Sequence, residues 1–272
     1  NSSKTAYTAD GSLTLAGLKS LVRVTDAEDD ANKTVGATAS ENLSVTVKQG
    51  ANAVDLSNNK YLKKGNYTLT YTTTDAAGAT VTREHTITVS SLAESKGGSI
   101  VYPSGAQKVA YGSSDIANGN FTSDAKTRFA AKMQEVNQNN RNLPIINGQG
   151  VTFTAGTTNE DAKTVVVTFP DGSTIDVPSS KVAKPAAPTV TTDQAYEGNL
   201  SSSTRQLSGT GIAGATVKIT LQDGQTVREV HVGTNGTWTY NLQAGEVLTQ
   251  NQQSNAATKA KRRILFIITL FN

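Results

Sequence analysis

A chain of 272 residues has room for two or three domains of roughly 100 residues each, and the absence of cysteine excludes a disulfide framework, a thiolate metal site and a cysteine nucleophile. Aromatics are only 6% of a composition crowded with Thr, Ser, Val, Gly and Asn, which favours short strands and turns over long helices, so the chain is expected to be mainly β. Residues 1–183 carry 17 basic and 17 acidic side chains, and the net charge of +3 arises from Lys259, Lys261, Arg262 and Arg263; the body has no basic stripe for phosphates, which excludes nucleic acid as a partner.

No signal peptide opens the chain and Asn1 is not an initiator, so the chain is expected to continue into a longer parent at its N-terminus. Apolar residues then alternate at Leu43, Val45 and Val47, at Tyr67, Leu69 and Tyr71, and at Ile87 and Val89. Period two marks half-buried strands, and the turn formers between them, Lys64-Gly65-Asn66 and Asp75-Ala76-Ala77-Gly78, have the spacing of a β-sandwich. SSLAESKGGS (90–99) replaces core residues with Ser and Gly and reads as a linker, which closes a first module at 1–92.

The second module, 97–183, is expected to hold one helix, capped by Ser123-Asp124 and buried along Phe129, Met133 and Val136 at i, i+4 and i+7. Strands return in VVVTFPDGSTIDVP (165–178), a hairpin around Pro170-Asp171-Gly172. KPAAPTV (184–190) reads as a short stiff connector into a third module, 184–250. There Val217, Ile219 and Leu221 alternate, as do Trp238, Tyr240 and Leu242, with Asp223-Gly224 and Asn235-Gly236 as hairpin turns of a second sandwich.

YTLTYTTTDAAGATVTREHTITV (67–89) resembles the closing strands of Ig-like or cadherin-like modules of Gram-positive surface proteins. LSGTGIAGATVKITLQDGQTV (207–227) with GTNGTWTYNL (233–242) resembles a bacterial Ig-like repeat, in which G-T-x-x-x-G-A-T-V is followed by a D-G turn and G-T-W. The 165–178 hairpin resembles the end of Rib-type or YPDG repeats, with Phe169 where tyrosine is usual. As a whole the chain is similar to the staphylococcal giant extracellular matrix-binding surface proteins. The resemblance implies tandem Ig-like β-sandwiches flanking a Rib-type or β-grasp-like module with one helix. It further implies an extracellular, cell-wall location and a role as stalk or adhesin toward a host extracellular matrix protein or glycan.

Residues 251–272 depart from the repeat, ending in the basic run and then ILFIITLF (264–271). An apolar run of eight residues falls well short of the ~20 that span a bilayer as a helix, so no membrane span is expected. A truncated or frame-altered end, a replacement last strand and membrane contact explain the change, in that order. The wall-sorting motif L-P-x-T-G is missing.

A search for chemistry finds His85 and His231 in separate modules, no G-x-S-x-G elbow and no phosphate-binding glycine loop, so no enzyme is expected. Trp238 is weighed as a sugar-stacking residue, which would make the chain a carbohydrate-binding accessory region of an exported glycosidase, against a place between the sheets. One acidic cluster remains: Asp26, Glu28, Asp29 and Asp30, with Asp75 as a distal partner. Four carboxylates this close repel unless solvated or bridged, and hard oxygen ligands at this density suit calcium, although the EF-hand spacing is absent. A solvated acidic loop is the competing reading.

Overall fold

The computed structural model describes residues 4–24, 43–74, 78–157, 164–190, 206–220, 225–244 and 246, with 189–190 and 268–271 described by their backbone. In chain order, strand β1 (Ala6–Thr8) and helix α1 (Leu15–Ser20) precede β2 (Ser44–Gln49), β3 (Asn52–Ala53), β4 (Gly65–Thr74) and β5 (Thr80–Ser90). Helix α2 (Leu92–Lys96) leads to β6 (Val109–Tyr111), β7 (Ile116–Ala117), β8 (Asn120–Phe121) and helix α3 (Ser123–Asn137). Strands β9 (Thr152–Ala155), β10 (Val165–Thr168) and β11 (Thr174–Val177) are followed by α4 (Ser179–Val182) and β12 (Ala183–Pro185). The remainder is β13 (Thr189–Val190), β14 (Gln206–Thr210), β15 (Thr216–Thr220), β16 (Val227–His231), β17 (Thr237–Asn241) and β18 (Ile268–Phe271). The chain is mainly β, with its strands in several sheets. It divides into one compact unit of residues 1–102, 133–156 and 165–177 and another of 103–132, 157–164 and 178–272.

The first unit is built on a sheet of order β1-β5-β4-β2-β3, in which β1 runs parallel to β5 and the other pairs are antiparallel. The register sets Val45 opposite Tyr71, Val47 opposite Leu69 and Tyr67 opposite Ile87, so the alternating apolar residues all reach one face, and all are buried. Among the described residues the opposing layer is supplied by Leu13, Leu18, Leu56 and Leu62. Helix α1 can start because Thr14 Oγ1 accepts from the Gly17 amide at 3.1 Å, and it is tied to the sheet where the buried Tyr71 hydroxyl donates to the Leu18 carbonyl at 3.0 Å. The unit also contains the sheet β9-β10-β11, in which Val165, Val167 and Val177 are fully buried. Its β10–β11 hairpin closes as expected around Pro170-Asp171-Gly172: Gly172, at φ +87°, donates to the Phe169 carbonyl at 2.8 Å.

The expected linker at 90–99 is corrected. Ser91 and Glu94 form a capping box that starts α2, and Leu92 and Ser91 are buried, so this segment is an ordered element of the first unit.

In the second unit β6 pairs with β12, and β7 and β8 form a two-stranded hairpin whose Asn118-Gly119 turn takes positive φ at both residues. The expected connector at 184–190 is therefore also corrected: Ala183–Pro185 is a strand parallel to β6, and Thr189–Val190 pairs with β14. Tyr111, Phe121 and Phe129 stack edge to face, with centroids 4.8 and 5.1 Å apart. The expected α3 is present, but its N-cap is Thr122, whose Oγ1 accepts from the Ala125 amide at 3.3 Å. Asp124 instead occupies the first turn, where a carboxylate favours the helix dipole. Phe129 is fully buried; on the part of α3 from 133 onward, which belongs to the first unit, Met133 is fully buried and Val136 partly so.

The C-terminal strands form two sheets, β13-β14-β17 and β16-β15-β18, that share one core of Leu207, Ile212, Val217, Ile219, Val232, Trp238 and Tyr240. This is the expected sandwich. Asn235-Gly236 makes a tight turn, with Gly236 at φ +75°, but it passes the chain from β16 in one sheet to β17 in the other and is no hairpin. Asp223-Gly224 lies outside the described residues. Strand β18 pairs antiparallel with β15, with Ile219 opposite Ile268 and Thr216 opposite Phe271, which is the pairing a replacement last strand requires. Among the described residues no helix is long and apolar enough to cross a membrane.

Candidate functional site

The five proposed calcium ligands, Asp26, Glu28, Asp29, Asp30 and Asp75, all lie outside the described residues. Among the described residues no three His, Asp or Glu side chains gather as a metal site. The two histidines are held on strands: His85 Nε2 lies 3.0 Å from the Lys4 carbonyl, and His231 Nδ1 lies 3.2 Å from the Thr216 hydroxyl on the paired strand. Trp238 is 2% exposed and its indole N–H donates to the Thr210 carbonyl at 3.2 Å, so its ring faces the core and not a sugar.

The cavity beside β1 has a volume of about 540 Å³ and is walled in part by Lys4, Tyr7, Asp10, Leu13, Leu21 and Glu94. Its charged groups are engaged within the chain. Asp10 accepts from the Ser12 amide and hydroxyl at 3.0 and 2.6 Å, and the Lys4 ammonium sits 4.6 Å from the Tyr7 ring centroid. Lys64 donates to Glu94, and with the Ser91 amide and hydroxyl it lowers the Glu94 carboxyl to about 2. Serines line the cavity and no histidine does.

Three polar constellations are more fully built. In the sandwich, Glu246 accepts from Arg228 Nε at 2.6 Å, the Tyr240 hydroxyl at 2.6 Å and the Gln243 amide at 2.9 Å, and its side chain is only 10% exposed. The hydrogen bond from Tyr240 is the largest cause holding the Glu246 carboxyl below its ordinary range, while burial raises the Tyr240 phenol. In the first unit, the buried Asn137 amide bonds both polar groups of Val101, accepting from its N–H at 2.9 Å and donating to its carbonyl at 2.8 Å. At the start of α2, Asp171 and Ser173 accept from the Leu92 and Ala93 amides at 2.7 and 2.9 Å. Sequence reasoning used Asp171 only as a turn former, and it passed over Asn137 and Glu246, whose partners in Val101 and Arg228 are distant in sequence.

Residues 185–263 match the bacterial Ig domain family. The match takes in both sheets of the sandwich except β18, together with its core Trp238. Likeness to solved structures is loose. The Bacteroides ovatus mixed-linkage glucan utilization locus protein SGBP-B, solved with a mixed-linkage heptasaccharide, is 14% identical at a TM-score of 0.19, over 79% of this chain and 53% of its own. A Ca²⁺-stabilized adhesin that helps an Antarctic bacterium bind ice is 15% identical at a TM-score of 0.18, over 83% and 63%. A 1.5-MDa bacterial ice-binding adhesin is 10% identical at a TM-score of 0.17, over 84% and 83%. The chain thus spans about half the length of the first of these and under two thirds of the second. No curated protein matches it.

Proposed function

We propose that the chain is a non-enzymatic segment of a bacterial surface adhesin, a modular stalk that also presents a surface to a host extracellular matrix macromolecule. The observation that carries this reading is the match of 185–263 to the bacterial Ig domain, on a sandwich closed around Trp238. Such a module is stabilised by packing alone and needs no disulfide, in keeping with a chain that has no cysteine. The resemblance of its repeats to the staphylococcal matrix-binding proteins supports a place on a Gram-positive cell wall.

The test is binding of the full chain to immobilised fibronectin, fibrinogen and collagen in parallel with a glycan array. Saturable retention on a matrix protein is expected. Binding confined to glycans would replace the proposal with a carbohydrate-binding one, and binding to neither would reduce it to the stalk alone.

A further inference from the structure

We infer that the Phe169–Ser173 turn is an intramolecular latch, which docks the β10–β11 hairpin onto the start of α2 and makes the β4–β5 sheet and the hairpin one stiff body. The orphan amides of a helix start need acceptors. Ser91 Oγ satisfies only the third, the Glu94 amide, at 3.3 Å. The first two are satisfied from about 80 positions away: the Leu92 amide by Asp171 Oδ2 at 2.7 Å and the Ala93 amide by Ser173 Oγ at 2.9 Å. The turn is preset for this, because Asp171 Oδ1 accepts from the Ser173 amide at 3.0 Å and its hydroxyl at 2.5 Å, which aims the serine oxygen.

Further contacts seat the same turn. Lys63 Nζ donates to the Asp171 carbonyl at 3.0 Å and the Tyr61 hydroxyl to the Pro170 carbonyl at 3.3 Å, both from the segment that leads into β4. A second contact lies at the C-cap of α2, where a Cβ added to Gly97 would sit 2.6 Å from the tip of Ile175, Cδ1, on β11. The end of the helix therefore lies close to the hairpin, and Leu92 is fully buried. Short polar linkers leave neighbouring modules free to swivel, whereas here the segment after β5 is fastened by hydrogen bonds and packing. In a stalk the latch would carry tension from the β5 end into the hairpin; its existence does not depend on what the chain adheres to.

Hydrogen exchange on the full chain at peptide resolution tests the latch, with Asp171→Ala, Ser173→Ala and Asp171→Asn compared to wild type. In the wild type, the sheet peptides of 65–90 and the hairpin peptides of 165–177 are expected to open together. Asp171→Ala removes an acceptor of a charge-assisted bond, so protection of the Leu92 and Ala93 amides should fall by about 10–100-fold, and the hairpin should then open independently of the sheet. Ser173→Ala, which leaves Asp171 in place but removes the acceptor of the Ala93 amide, should uncouple the same two regions, while Asp171→Asn, with one acceptor oxygen where Asp171 uses two, should lose only part of the protection. Unchanged protection of Leu92 and Ala93 in Asp171→Ala would overturn the latch. So would independent opening in the wild type, or loss of protection throughout β4 and β5, because a released latch leaves both halves folded.

Discussion

Replacing Ile219 by alanine attacks the centre of the sandwich. Ile219 is fully buried on β15, in the sheet facing the one that carries Trp238. Removing three buried carbons at about 0.8 kcal/mol each, with the residual cavity added, puts the loss at about 2–5 kcal/mol. A sandwich of this size holds only about 3–9 kcal/mol in all at ordinary stability per residue, so the variant should lose a large share of it and melt at least about 8 °C lower. Trp238 is the single tryptophan of the chain, so its fluorescence during heating or urea titration reports this core and no other. Val227→Ala is the control, since Val227 is 46% exposed on β16 and its truncation should move the midpoint by under about 0.5 kcal/mol. If Ile219→Ala shifts the Trp238 midpoint no more than Val227→Ala does, the two sheets do not share the core described for them.

Glu246→Gln should lower the same midpoint at pH 7, because it removes the charge that pairs with Arg228. The Glu246 carboxyl is depressed in the folded state, so its contribution is fully present above the ordinary value of 4.5 and is lost as pH falls through the lower folded value; the gap between wild type and variant should therefore close on acidification, and a gap that widens would contradict the network. Deleting residues 264–272 removes β18, opens one edge of β15 and should lower the Trp238 midpoint, whereas a rise in stability would show that β18 strains the sandwich. Calcium at Asp26, Glu28, Asp29, Asp30 and Asp75 is proposed from the sequence, with the ~10⁻⁴–10⁻³ M affinity of extracellular modules. The full chain should melt higher in millimolar calcium than in chelator, and Asp29→Asn or Asp75→Asn should abolish the difference; identical curves in both buffers would remove the site.

What sequence could reveal followed the range of the forces involved. Period-two alternation at Tyr67, Leu69 and Tyr71 and at Trp238 and Tyr240 is local, and the structure buries each of these side chains. The hairpin at Pro170-Asp171-Gly172 was equally legible, because turn chemistry is confined to a few residues. The misread segments are those whose order depends on distant partners. SSLAESKGGS contains the capping signature Ser91-x-x-Glu94, but its glycines outweighed it, and Leu92 is buried beside a hairpin about 80 positions away. Ala183–Pro185 becomes a strand only because β6 lies alongside, a parallel pairing that leaves no mark in the local pattern. The helix is expected to end near 139–144, but nothing local shows that Asn137 and Asn140 supply part-buried bonds to the Val101 and Ser99 carbonyls. The candidate calcium residues were legible as a charge cluster, and the structure describes none of them.

A surface adhesin must be accessible on intact cells. Antibodies raised against the sandwich, residues 185–246, would be applied to intact cells of the bacterium that makes the protein, before and after protease treatment that leaves the cells unlysed. Labelling of intact cells that protease removes is expected. Labelling that appears only after lysis would contradict a surface adhesin.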